Sequence, residues 1–392
     1  MTWSLTQSVV WTEKAASATV FLFPWYQTDH SPFYWDTRAQ PEETNETFDA
    51  LLASTEALAK LTFADSLVGI PGSQLTQPAE IDAFRHLLQC WTQKGAWVHD
   101  PRAPPRSLAH FQDPIFSTCD RRWAKKRKQP TSPRPDTLYR WEVPTTCPLL
   151  EPAIDHASWC RLLNGRHMLL VGDLVQYQLH DLFLDALRDG PTVCYGELGC
   201  KDHTLCSSPK QARLRYIRND VLSNRTSVDK HGGAPTVATV EWPFLAHRPL
   251  DSFKIVVLNR SPVLESDETF AQELLHSLAQ IRDIQPEALI FYRSSLIGHP
   301  YCDDAQAPLA FPLQEHQRRH LPYGWSAHTR RNQLAQIIVE AAGGVYIDMA
   351  SSLDQRPDAH LGHSDCLRFC MPGPLDDWAI LLYNVFLALA PN

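Results

Sequence analysis

Glycine is scarce in this chain of 392 residues: 16, against 30 prolines, so the connecting segments are stiffened rather than loose. Charge is also thin. Only 20% of residues are charged while 44% are hydrophobic, which excludes a wholly disordered chain. Lys and Arg (36) are outnumbered by Asp and Glu (44), a formal net charge of −8, so no nucleic-acid partner is expected. There is no run of about 18 apolar residues, and no membrane span is expected. The opening Met1-Thr2-Trp3-Ser4-Leu5 has no basic stretch followed by an apolar one, so the sequence as it stands reads as soluble and unanchored. Paired C-x-x-C spacings are missing, and Cys194, Cys200 and Cys206 lack a clear fourth ligand; neither a metal nor a cofactor is expected.

What is present is aromatic and sulfur-rich. Twelve tryptophans supply enough apolar surface for a core and an aromatic-lined pocket. Ten cysteines form an even set that suits either redox setting in a chain of this length. Three Asn-x-Ser/Thr triplets, at Asn45, Asn224 and Asn259, are weak signals by themselves, and Pro262 follows the third.

The chain divides into three stretches. Residues 1–87 carry a short apolar run, Ala18 to Trp25, that reads as a buried strand, and a helical spacing of Phe48, Leu51, Leu52, Leu58 and Leu61. Residues 88–140 are rich in proline and charge. Their basic run, Arg121 to Lys128, reads as an exposed irregular segment packed on the main domain. In residues 141–392, apolar runs recur at His167–Val171, Lys254–Leu258, Ala288–Tyr292 and Gly344–Ile347. Helical patterns lie between them, one behind a Ser266 cap and one ending at Gly343-Gly344. This alternation predicts an α/β domain with a mainly parallel sheet covered on both faces. Ligands bind outside the carboxyl ends of strands in such a sheet. The groups following each run are Asp173, Leu174 and Gln178; then Asn259, Arg260 and Ser261; then Arg293, Ser294, Ser295 and His299; and then Asp348. His360, His363, Asp365 and Arg368 come near the end.

Several motifs stand in a recognisable order: Tyr139-Arg140-Trp141, Cys147, Trp159-Cys160, Val171-Gly172-Asp173, and Val257-Leu258-Asn259-Arg260. They continue with Tyr292-Arg293, Gly298-His299-Pro300, Cys302, Asp365-Cys366, Cys370, Pro372-Gly373, Asp376 and Trp378. In this order the chain, over roughly residues 90 to 392, resembles the PC-esterase, or trichome-birefringence-like, branch of the GDSL/SGNH acyl-esterases. The resemblance implies an SGNH-like three-layer sandwich with an N-terminal extension. It also implies acyl chemistry on sugars and disulfides at Cys119, Cys147, Cys160, Cys302, Cys366 and Cys370, which fits a secretory lumen. By the same resemblance Asn259 stands where an oxyanion donor is expected, and Asp365 where the aspartate that orients a catalytic histidine is expected.

The departures carry the functional reading. Leu174 occupies the position of the nucleophilic serine, and an isobutyl group cannot attack a carbonyl. Arg368 occupies the position of the general base, and a guanidinium with a pKa above about 12 takes no proton near neutrality. The family's Gly-x-His-Trp after the asparagine is replaced by Ser261-Pro262-Val263-Leu264. Losing both halves of a proton-transfer couple removes several orders of magnitude from acyl transfer. The reading is therefore a repurposed, non-hydrolytic enzyme of cyclase or isomerase type. Its substrate would be a largely apolar small molecule with a carbonyl or carboxylate handle, as in natural-product biosynthesis, with shape-controlled (pericyclic) cyclisation as one form. Arg368, Asn259 and Arg293 are the candidate catalytic donors, and Asp173, Leu174, Gln178, His299, His363 and Asp365 the candidate binding residues. Two alternatives remain: a ligand-binding pseudoenzyme, or acyl chemistry rebuilt from Ser261, Ser294 or Ser295 with His299, His360 or His363. Arg293 could pair with Asp173 or Asp365 instead of a ligand.

Overall fold

The computed structural model describes residues 45–64, 69–102, 118–127, 133–189, 201–225, 227–233, 235–238, 250, 252–300, 302–318, 321–362 and 365–390. The expected strand at Ala18 to Trp25 and the candidate His363 lie outside these residues. In chain order the elements are α1 (Asn45–Phe63), α2 (Pro78–Gln93), β1 (Ala96–His99), α3 (Thr118–Arg127), β2 (Tyr139–Glu142), α4 (His156–Leu163), β3 (His167–Gly172) and α5 (Leu174–Leu187). Next come β4 (Asp202–Leu205), β5 (Ala212–Arg218), β6 (Phe253–Leu258), α6 (Asp267–Ile284), β7 (Leu289–Arg293), α7 (Glu315–Arg318) and α8 (His328–Ala341). The chain closes with β8 (Val345–Ile347), α9 (Ala350–Leu353), β9 (His360–Gly362), β10 (Asp365–Phe369) and α10 (Pro374–Leu389).

Six strands form one sheet in the order β4-β5-β3-β6-β7-β8. All neighbours are parallel except β4, which runs antiparallel to β5 on the edge. Alternate side chains of a strand face opposite ways, and here they divide the interior into two cores. Met168, Leu170, Ile255, Val257, Leu289 and Phe291 pack with α2, α4, α5 and α10. Leu169, Val171, Val256, Leu258, Ile290 and Tyr292 pack with α1, α6 and α8 on the other face. The arrangement is thus α/β with helices on both sides of a mainly parallel sheet, and α1, from the N-terminal stretch, is part of that covering layer.

Local chemistry sets the helix ends. Asp173 caps α5 by accepting from Gln176 N at 2.9 Å, and Ser266 caps α6 by accepting from Thr269 N at 3.1 Å. After α8 the chain turns at Gly343, whose φ of +64° glycine adopts without a Cβ penalty. The basic run corrects the expectation of an irregular segment: Thr118–Arg127 is helical. Proline is absent from 118–127, Asp120 lies in the first turn, and Cys119 is tied to Cys370, so propensity and a covalent anchor act together. The same proline-rich stretch also holds β1 and β2, an antiparallel pair.

Among the described residues there are four disulfides: Cys90–Cys147, Cys119–Cys370, Cys160–Cys206 and Cys302–Cys366. All six cysteines singled out by the resemblance are among them. No described helix is long and apolar enough to cross a membrane.

Candidate functional site

The sheet order makes β3 its switch point: β5 lies on one side, and the chain then crosses to β6 on the other. The carboxyl ends of β5, β3, β6 and β7 therefore lie side by side, with Asp220, Asp173 and Asn259 just beyond the first three and Arg293 closing β7. Gly172 permits the approach, since a Cβ there would lie 2.8 Å from Asn259 Oδ1.

These groups are held by one another. The Arg293 guanidinium donates from Nη2 to Asp173 Oδ1 and from Nε to Gln176 Oε1 at 2.8 Å, and Gln176 Nε2 donates to Val257 O at 2.8 Å. Asp173 N donates to Asn259 Oδ1 at 3.2 Å, and Asn259 Nδ2 donates to Arg260 O at 3.0 Å. Asn259, Gln176 and Gln178 are fully buried, and Arg293 and Asp173 nearly so. Burial pulls the Arg293 pKa below its ordinary value, against the opposing pull of Asp173. Of the two partners that the sequence allowed for Arg293, the structure shows Asp173. The Asn259 amide that the resemblance offers as an oxyanion donor points its nitrogen at a backbone carbonyl.

A second group of residues is carried by the β9/β10 pair. Gln178, one helical turn beyond Leu174 on the same face of α5, donates to Phe369 O at 2.6 Å and accepts from Phe369 N at 3.0 Å. These two hydrogen bonds tie β10, which carries Arg368, to the first half of α5. Leu174 is 9% exposed at the first position of the helix. Asp365 accepts from Arg368 N at 3.0 Å and, through its other oxygen, from Arg368 Nε. The Arg368 side chain is 18% exposed. Among the described residues its two terminal nitrogens meet no acceptor. Cys302–Cys366 anchors this segment from within, and Cys119–Cys370 anchors it just beyond Phe369.

Beneath it lies a buried histidine chain. His299 Nε2 stands 2.8 Å from Asp354 O, His299 Nδ1 stands 2.7 Å from His360 Nε2, and His360 Nδ1 stands 3.2 Å from Arg368 O. Burial lowers both imidazole pKa values to about 3, so the rings are neutral near pH 7. Two neutral rings carry two N–H groups, so at most two of the three contacts are hydrogen bonds at once. His299 N also donates to Cys366 O at 2.9 Å. Ser294 Oγ accepts from Ala350 N at 2.8 Å, and Ser295 Oγ donates to Arg260 O; neither bond goes to an imidazole.

One titrating group escaped the sequence reading. Asp220 follows β5, accepts from Ala238 N at 2.6 Å and from Arg218 Nε and Nη2 at 3.3 and 3.2 Å. Burial raises its pKa to about 7, with the nearby Asp173 carboxylate adding to the rise against the pull of Arg218. The alternation of Ala212, Leu214 and Tyr216 with Arg213 and Arg215 was the signal that could have marked β5 and so its end.

A cavity of about 680 Å³ opens at the other, amino end of the sheet, bordered by Arg161, Arg166, Leu289, Phe386, Leu387 and Leu389. None of the residues read from the sequence as functional lines it. Among the described residues no cluster of His, Cys, Asp and Glu is placed to hold a metal. Compared with models of known protein families and with curated proteins, the chain matches none.

Proposed function

We propose that this chain is a non-hydrolytic enzyme on an SGNH-like framework, a cyclase or isomerase acting on a largely apolar small molecule that carries a carbonyl or carboxylate. The observation that carries the reading is the Asp365–Arg368 turn. Where a hydrolase would orient an imidazole, the carboxylate holds a guanidinium by Nε and leaves its outer edge partly exposed, with Leu174 at the adjoining end of α5. A fixed, permanently charged donor beside an apolar wall binds a carbonyl oxygen and stabilises charge that develops on it. It neither attacks nor takes a proton. Such a site accelerates reactions whose barrier is lowered by confinement and hydrogen bonding alone. Arg293 and Asn259 act one layer below, holding Asp173 and the start of α5.

The test uses a panel of apolar carbonyl and carboxylate compounds, screened by thermal stabilisation and then by chromatography with mass detection for isomers of unchanged mass. Isomer formation that survives Leu174→Ser and falls at least tenfold in Arg368→Ala supports the reading. Release of acetate from an activated ester, or labelling by a serine-reactive phosphonate, overturns it.

The cavity at the amino end of the sheet favours a second reading, a binding protein without turnover. Its apolar floor and its two guanidiniums, Arg161 and Arg166, suit an amphipathic anion, and they include no acid or base able to titrate near neutrality. On this reading ligands stabilise the protein unchanged, and Arg161→Ala weakens them while Arg368→Ala does not.

A further inference from the structure

Three Asn-x-Ser/Thr triplets stand in the sequence, and the structure separates two of them. Asn259 has no exposed surface, and its Oδ1 accepts from Asp173 N, so a substituent on its amide cannot coexist with the folded sheet. Asn224 is exposed, in a bend of the irregular chain that follows β5. This bend is pinned from beneath: Ser277 Oγ donates to Leu222 O at 2.8 Å, and Arg225 pairs with Glu273 at 2.7 Å and Glu265 at 2.8 Å. Asn224 Nδ2 lies 3.0 Å from His276 Nε2 on the exposed side of α6. An amide substituted once on nitrogen keeps one N–H, so that contact survives modification. The four disulfides add the second condition, because such a set forms and persists in oxidising compartments, where glycosylation of Asn-x-Ser/Thr takes place in eukaryotes.

We propose that Asn224, with Thr226 supplying the hydroxyl of the triplet, is the acceptor of an N-linked oligosaccharide. The donor class is a lipid diphosphate-linked oligosaccharide. The Asn224 amide nitrogen forms the bond to the anomeric carbon and loses its proton to the transferase, the bond from that carbon to the phosphate oxygen breaks, and the lipid diphosphate leaves. The glycan stands over α6, and none of the contacts that hold this bend involves Asp365 or Arg368, so the inference does not rest on the proposed function.

The experiment is secretion of the full chain from a eukaryotic host behind a host leader. Intact mass and peptide mapping follow, before and after treatment with peptide-N-glycosidase, which converts a modified Asn to Asp. A glycan on the peptide containing residue 224, lost in both Asn224→Gln and Thr226→Ala, is the expected result. Thr226→Ala leaves the Asn224 side chain and its His276 contact in place, so it reads the modification even if Asn224→Gln impairs folding. An unmodified Asn224 in secreted, disulfide-bonded protein overturns the proposal, as does a glycan that persists in Thr226→Ala.

Discussion

Asp220 gives the sharpest quantitative expectation. Its folded pKa of about 7, against 3.8 for the ordinary carboxyl, means that the folded protein holds a proton there which the unfolded chain has released. A carboxyl raised on folding contributes its full stability below the unfolded value and loses it as pH rises through the folded one. Each pH unit inside that window costs about 1.4 kcal/mol. Between about pH 4.5 and pH 7.5 the native protein should therefore lose roughly 3 kcal/mol relative to Asp220→Asn, whose amide is neutral throughout. The buried histidines titrate in both proteins and cancel in the difference. Urea unfolding of the two proteins at both pH values, without reductant, reads it. Parallel pH dependence in the two, within about 0.5 kcal/mol, would refute the assignment of a desolvated carboxyl at the end of β5.

Buried neutral histidines have the opposite sign: His180, His299 and His360, each lowered to about 3, take up protons on unfolding below the ordinary value of 6.5, so the native protein loses stability as pH falls from 6.5 towards 3. Far-ultraviolet circular dichroism during acid titration should show a shallower acid loss in His360→Gln. Arg293→Ala strands the Asp173 carboxylate in the core and should cost about 3–5 kcal/mol in denaturant unfolding, whereas Arg293→Met with Asp173→Leu should recover most of it. Replacing Cys302 and Cys366 together by serine removes the anchor within the Asp365–Arg368 turn. It should cost about 2–5 kcal/mol and raise hydrogen exchange in β10 before it does so in β6; equal exchange in both strands would show that the disulfide does not hold this turn.

The sheet was legible because its strands are buried on both faces and so read as continuous apolar runs. Runs expected at His167, Lys254, Ala288 and Gly344 appear as β3, β6, β7 and β8, with ends shifted by a residue at most. The edge strand β4 and its neighbour β5 were not, because Arg213 and Arg215 alternate with apolar residues along β5 and the four residues of β4 include only one buried hydrophobic. The basic helix α3 was misread for a related reason, since its charge outweighed the absence of proline inside it. Among the candidate residues, Asp173, Asn259 and Arg293 come together because the end of each strand is fixed once the strands are adjacent. Gln178 faces Phe369, 191 residues away, a pairing that no local pattern encodes.

Which atoms this protein has for chemistry is written in the order of its residues: the carboxylate of Asp173 and the guanidinium of Arg293 at strand ends, the Asp365 and Arg368 pair near the end of the chain, and strands whose apolar runs dictate a covered, mainly parallel sheet. Local sequence sufficed there because side-chain identity and burial periodicity are properties of short segments. Partnership was decided only in three dimensions. That Arg293 neutralises Asp173, that Gln178 holds Phe369, and that burial raises the Asp220 pKa to about 7 all depend on distances between segments and on the water that their packing removes.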